Sequence, residues 1–181
     1  MGAAEAAEAA NVADVAGAVE VGPAGRRDAA PGRAGGVYRR EAIDWRSVAG
    51  DDFAVRLGGA ATGGVFALAE VVERADGGPP QAIHHDHDET VYILEGEREM
   101  RVGDETSRAA AGAVIFIPRG TVHSHRNLGP GPHRAIVLFT PGGLEGFFVE
   151  VSAATGPLGP AEMVAIAARY GTEVTGPPLE P

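Results

Sequence analysis

The chain has 181 residues, a one-domain length, and 44% of it is apolar, enough for a sizeable core. Its net charge of −10 and pI near 5.0 argue against a nucleic-acid or anionic-membrane partner. The absence of cysteine excludes a disulfide framework and a thiolate metal site, so any bound metal must rest on His, Asp or Glu.

Residues 1–35 are rich in Ala, Gly and Glu, and Glu5 to Val21 carries no large apolar side chain beyond valine. A disordered tail is expected there, since the segment has little to bury. The start has neither a basic stretch nor an apolar run, so no signal peptide is expected. With no stretch of transmembrane length, a cytoplasmic location is the default expectation. Short strands are expected over Val37 to Ile43 and Phe53 to Leu57, with glycine pairs as turns, followed by a strong strand over Val65 to Glu73. Pro79 and Pro80 belong to a bend. Glu89 to Leu94, Arg98 to Val102, Val114 to Ile117, Thr121 to Arg126 and Arg134 to Thr140 read as further strands. A Gly103–Asp104 turn leads from the second of these toward the third. Many short strands divided by Gly and Pro indicate a sandwich or barrel, an all-β fold.

After Pro141 the period changes. Leu144, Phe147, Phe148 and Val151 fall at helical spacing, so a short helix is expected to dock on the barrel. Pro160 opens a second helix, Gly171 ends it, and the final EVTGPPLEP reads as a polar tail. The domain reading is therefore a tail over 1–35, a barrel with its packing helix over 36–151, and a C-terminal helix and tail over 152–181.

The chemistry concentrates between Pro79 and Asn127, which hold five of the six histidines. Gly112, Pro118, Gly120, His123 and Asn127 stand at the spacing G-x5-P-x-G-x2-H-x3-N, and Glu89 and Gly96 at E-x6-G. These residues resemble the two signatures of the cupin family. With ETVYILEGE and GAVIFIPRGTVHSHRN they are similar to single-domain cupin-2 proteins of the quercetin 2,3-dioxygenase-like kind. The resemblance runs from about Val37 to the end. It implies a cupin double-stranded β-helix (jelly-roll) barrel with short C-terminal helices, a site inside its mouth, and dimerisation into a homodimer. In such a family three histidines and a glutamate hold a divalent metal. With the longer of the family's two spacers before Glu89, His84, Glu89 and His123 match three of those positions and Ala82 stands at the fourth; with the shorter spacer Ile83 and His85 stand at the histidine positions, and one ligand is missing in either register. The implied metal is Fe, Mn, Ni, Cu or Zn on a 2-His-1-carboxylate set, which leaves positions open for substrate or oxygen.

Other residues near this set carry alternatives. Residues two apart on a strand share a face, so Ala82 and His84 face together while His85 points away. His85 and His87 are alternative ligands, their plainer reading being a solvated bend. His125 shares a face with His123 and is expected in the pocket or behind a ligand, with a stand-in for the missing ligand as the other reading. Tyr92 and Phe116 are candidate pocket residues, and Phe66, Met100 and Phe139 could also set the pocket's size. His133 is expected in an exposed loop, and Asn127 is expected to fix a turn. Glu89 is the candidate catalytic residue, as ligand, general base or both. Without metal, burial is expected to raise its pKa toward neutrality.

Three functions follow. The first is a metal-dependent, dioxygenase-like oxidoreductase acting on an aromatic or enolisable small molecule. The second is a non-redox isomerase, dehydratase or cyclase using the same pocket, and the third a ligand-binding cupin with a vestigial site. The expected partners are a small-molecule substrate and a second copy of the chain, with no nucleic acid and no membrane.

Overall fold

The computed structural model describes residues 35–38, 44–74 and 77–180. The expected tail over 1–35 lies almost wholly outside the described residues. Val37 and Tyr38 have no regular structure, so the strand expected over Val37 to Ile43 does not begin there, and its remainder also lies outside. Eleven strands and three helices follow among the described residues. They are β1 (Arg46–Val48), β2 (Asp51–Leu57), α1 (Gly59–Thr62), β3 (Ala67–Glu73), β4 (Gln81–His84), β5 (Asp88–Glu95) and β6 (Glu97–Val102). After these come β7 (Glu105–Ala110), β8 (Val114–Ile117), β9 (His123–Asn127), β10 (His133–Thr140), α2 (Glu145–Ser152), α3 (Pro160–Arg169) and β11 (Thr172–Gly176).

The strands form two antiparallel sheets. One has six strands in the order β1-β2-β3-β10-β5-β8, the other five in the order β11-β4-β9-β6-β7. Strictly alternating burial along β10 shows one face of the first sheet turned inward, with Ala135, Val137 and Phe139 buried. Ala67, Ala69 and Val91 join them from β3 and β5. Small alanines at these positions let bulkier neighbours close over them. Phe148 of α2 stacks on Phe53 with ring centroids 4.0 Å apart and also lies 6.2 Å from Phe139. Burial of rings of this size contributes about 1.5–3 kcal/mol each, which fixes α2 to the barrel.

The helix α3 docks in turn on α2, where Val151 and Ile166 share a cluster with Val48. Glu162 reaches back to accept the Gly159 N–H at 2.8 Å, satisfying one of the free donors at the start of α3. Gly171, at φ 69°, closes the helix in a conformation that suits glycine and redirects the chain into β11. The supposed polar tail is therefore in part a strand. It pairs with β4 through Thr172–His84, Glu173–Ile83 and Val174–Ala82. The structure also adds β7, an exposed edge strand with no large apolar residue, where only a connection was expected.

Backbone close to the site is tightly fitted. Asn127 N–H donates to Gly77 O at 3.1 Å, and Ser124 Oγ donates to Pro79 O at 2.8 Å. Between these contacts Gly78 passes so close to β9 that a Cβ there would lie 1.9 Å from His125 O. No helix among the described residues is long and apolar enough to cross a membrane.

Candidate metal centre

Three side chains from three strands meet inside the barrel. The β4–β9 ladder sets Ala82 opposite His123, and residues directly opposite each other share a face. His84, two residues on from Ala82, therefore also faces inward. In the other sheet Glu89 pairs with Ile117 and Phe139, both 2% exposed, so its carboxylate turns toward the two histidines. Glu89 Oε2 lies 3.2 Å from His84 Nε2 and 3.7 Å from His123 Nε2. One donor atom from each of the three residues falls within a 4.8 Å span.

The outer nitrogens of both rings are occupied. His84 Nδ1 lies 2.8 Å from Thr172 Oγ1 and His123 Nδ1 lies 3.0 Å from Thr121 O. Both Nε2 atoms are thus turned to the carboxylate. Burial pushes the His123 pKa down, though Glu89 works against that, so the neutral ring with its proton on Nδ1 is favoured. A neutral His123 presents a lone pair to an ionised carboxylate, two acceptors with no proton between them, and a cation resolves that conflict. The donor set fits a divalent transition metal: two imidazole nitrogens and one carboxylate oxygen.

Glu89 departs from the sequence expectation. Burial does act to raise its pKa, but the hydrogen bond and charge of His84, with His123 and His125, outweigh it and hold the carboxyl below its ordinary value. A carboxylate held ionised in this way is better suited to ligation than to proton abstraction.

The remaining candidates are dispersed. His85 is exposed and hydrogen-bonds Glu173 at 2.9 Å, facing away from the set. His87 is buried, but its Nδ1 lies 2.8 Å from Pro141 O and it stands outside the converging group. His125 faces inward and is held at 2.7 Å by Glu73, so it does not stand in for the missing ligand. Tyr92 and Phe116 are 45% and 58% exposed on the outer face of the six-stranded sheet, one step out of phase with Glu89 and Ile117. They are not pocket residues, whereas Met100 and Phe139 do point inward.

A second polar group lies deeper, and the sequence reading missed it. Arg98, 1% exposed, donates from Nη2 to Glu73 Oε2 at 3.0 Å and from Nε to His133 Nε2 at 3.0 Å. His133 is fully buried, contrary to the exposed loop expected, because it begins the inward alternation of β10. Burial opposes ionisation of Glu73, yet His125, Arg98 and His133 together hold its carboxyl at about 2. Burial and the Arg98 guanidinium push His133 down to about 4. The available signal was phase, since Glu73 continues the inward series Ala67, Ala69, Val71 and Arg98 precedes inward Met100. Asn127 acts as expected: its Nδ2 donates to Gly131 O and its Oδ1 accepts from Gly129 N–H, fixing the turn after β9.

Comparison with known proteins agrees with this architecture. Residues 68–139 match the Cupin_2 family, a cupin domain. The structure resembles KdgF from Halomonas sp. with a TM-score of 0.54 and 22% identity, over 60% of this chain and 94% of that one. It resembles a predicted oxalate decarboxylase from Thermotoga maritima with a TM-score of 0.55 and 20% identity, over 58% and 98% of the two chains. The cupin domain of Schizosaccharomyces pombe Cnp3 matches with a TM-score of 0.52 and 21% identity, over 66% and 84%. At these identities the likeness is one of fold. A curated relative, the uncharacterized protein SCO3923 of Streptomyces coelicolor, is 32% identical over 57 residues, 32% of this chain and 53% of the relative. The chain thus spans about half the length of that relative. Residues 68–139 thus carry a match to a cupin domain, and the fold around them is the double-stranded β-helix of the cupin structures.

Proposed function

We propose that this protein is a metal-dependent enzyme acting on a small oxygenated molecule inside the barrel, with dioxygenase-type oxidation of an aromatic or enolisable substrate as its reaction. The observation that carries this reading is the three-residue donor set beside Ala82, two imidazoles and one carboxylate facing a common point. Three protein ligands leave room for substrate and dioxygen together. When bound, Fe, Mn, Ni, Cu or Zn supplies Lewis acidity toward substrate oxygens and, where redox-active, an electron path to dioxygen. His84 and His123 serve as neutral donors, and Glu89, held ionised, serves first as a ligand. Apolar Val91, Val137 and Phe139 keep the inner sheet face dry, which strengthens the electrostatic contacts of a bound substrate. The partners in this reading are a small-molecule substrate and a second copy of the chain.

A non-redox isomerase, cyclase or dehydratase is the second reading, favoured by one observation. The His125–Glu73 pair gives the interior a polar group beyond the donor set, able to hold a substrate hydroxyl or carbonyl. The experiment is to strip the protein, reload it with each metal in turn, and offer aromatic diols and 1,3-dicarbonyl compounds with an oxygen electrode. Oxygen uptake with a redox-active metal is the expected result. Turnover under argon would move the assignment to the non-redox class, and saturable binding without turnover to a binding protein.

A further inference from the structure

His84 and His123 present Nε2 to the same carboxylate, but the groups behind the two rings differ in kind. A backbone carbonyl, such as the Thr121 O behind His123, can only accept a hydrogen bond. That ring keeps its proton on Nδ1 whether or not a cation is present. Behind His84 stands the hydroxyl of Thr172, which both donates and accepts. It therefore supports the His84 ring with its proton on either nitrogen. Without a cation, Glu89 at 3.2 Å favours the proton on Nε2, and Thr172 donates to Nδ1. With a cation on Nε2 the proton sits on Nδ1, and Thr172 accepts it.

Thr172 is brought there by the main chain. It stands opposite His84 in the β11–β4 ladder, and His85 N–H donates to Gly171 O at 2.8 Å. The strand follows α3, which is fastened to α2 by the Val151–Ile166 cluster and by Tyr170 OH donating to Glu150 at 2.8 Å. None of these contacts uses the Thr172 hydroxyl. That side chain is accordingly dispensable for the strand and free to serve His84.

We infer that Thr172 is a positioning residue of the metal centre. Its hydroxyl aligns the His84 imidazole with His123 and Glu89 and lets the ring exchange tautomers on metal loading without moving. The inference rests on the metal-centre reading and extends it to a residue outside the 68–139 segment shared with the family.

The test uses metal-stripped full-length protein titrated with Zn²⁺ or Co²⁺ by calorimetry, with cobalt absorption spectra and ¹⁵N NMR of the histidine rings. In the wild type, metal should move the His84 proton from Nε2 to Nδ1 while His123 keeps its Nδ1 proton throughout. Thr172→Val retains the β-branched shape and should weaken metal binding about 10- to 100-fold and change the cobalt spectrum. Thr172→Ser, which keeps the hydroxyl, should restore affinity. Thr175→Val, exposed on the same strand, should change nothing. A wild type that binds no metal overturns the underlying site. A wild type that binds metal while the Val variant binds equally tightly overturns the role of Thr172 alone. If the Val variant fails to fold, the wild-type ring signals decide, and a His84 proton that does not change nitrogen on loading refutes the inference.

Discussion

Ala82 faces His123 directly across the β4–β9 ladder, so its methyl group shares the inner face with that imidazole. A third histidine at this position would stand beside two already turned to Glu89. Ala82→His is expected to tighten divalent-metal binding roughly tenfold, about 1.4 kcal/mol, by adding a fourth protein ligand. Calorimetry on stripped protein checks this. Unchanged affinity would mean that position 82 does not reach the metal.

Glu89→Gln keeps the side chain's shape while removing its charge. Because the imidazoles of His84 and His123 hold this carboxylate ionised, its charge acts chiefly in ligation. The variant should lose both metal and turnover while its fold persists, since the apolar cluster around Phe53, Val137 and Phe139 does not involve the carboxylate. Metal analysis, turnover and circular dichroism distinguish the outcomes. Retained metal with lost turnover would make Glu89 mainly a base, and full retention of both would remove it from the site.

His125→Ala separates ligand from pocket. With Nε2 engaged by Glu73, His125 lies outside the donor set. The variant should retain metal and weaken substrate binding, and Glu73→Gln should act in the same direction by releasing the ring. Loss of metal from His125→Ala would contradict this placement.

The inner polar cluster predicts acid lability. His133 is held at about 4 in the folded chain against 6.5 when unfolded, so between those values the unfolded state binds the extra proton and stability falls as pH falls. Glu73, at about 2 against 4.5, extends the same loss to lower pH: its contribution is complete above 4.5 and gone below about 2. The His133 share alone is on the order of 3 kcal/mol. Urea denaturation at pH 7, 5.5 and 4 should show falling midpoints. In His133→Asn the decline between pH 6.5 and 4 should flatten.

The barrel was legible in the sequence where apolar residues alternate between Gly and Pro turns, as along Arg134 to Thr140 and Glu89 to Leu94. The strand β7 was not, because ETSRAA has no apolar face and forms only through pairing with β6. Tyr92 and Phe116 were misplaced because their strands are apolar on both faces, and only the pairing of Glu89 with Ile117 shows which set points inward. Arg98 and His133 were hidden for the opposite reason: charged or polar residues at strand ends resemble surface, and only their mutual contact with Glu73 makes burial tolerable. The donor set was legible through motif spacing and family resemblance. Thr172 was not, since a short polar strand near a proline-rich end carries no signal until β4 is there to pair with it.

Metal analysis of the protein purified without added metal and then equilibrated with Fe, Mn, Ni, Cu and Zn tests the central claim most directly. The account predicts about one tightly held divalent ion per chain, from one donor each of His84, Glu89 and His123, and its loss from a His84→Ala, His123→Ala double variant that remains folded. A wild-type chain that takes up no metal, or a double variant that keeps its full equivalent, would contradict it.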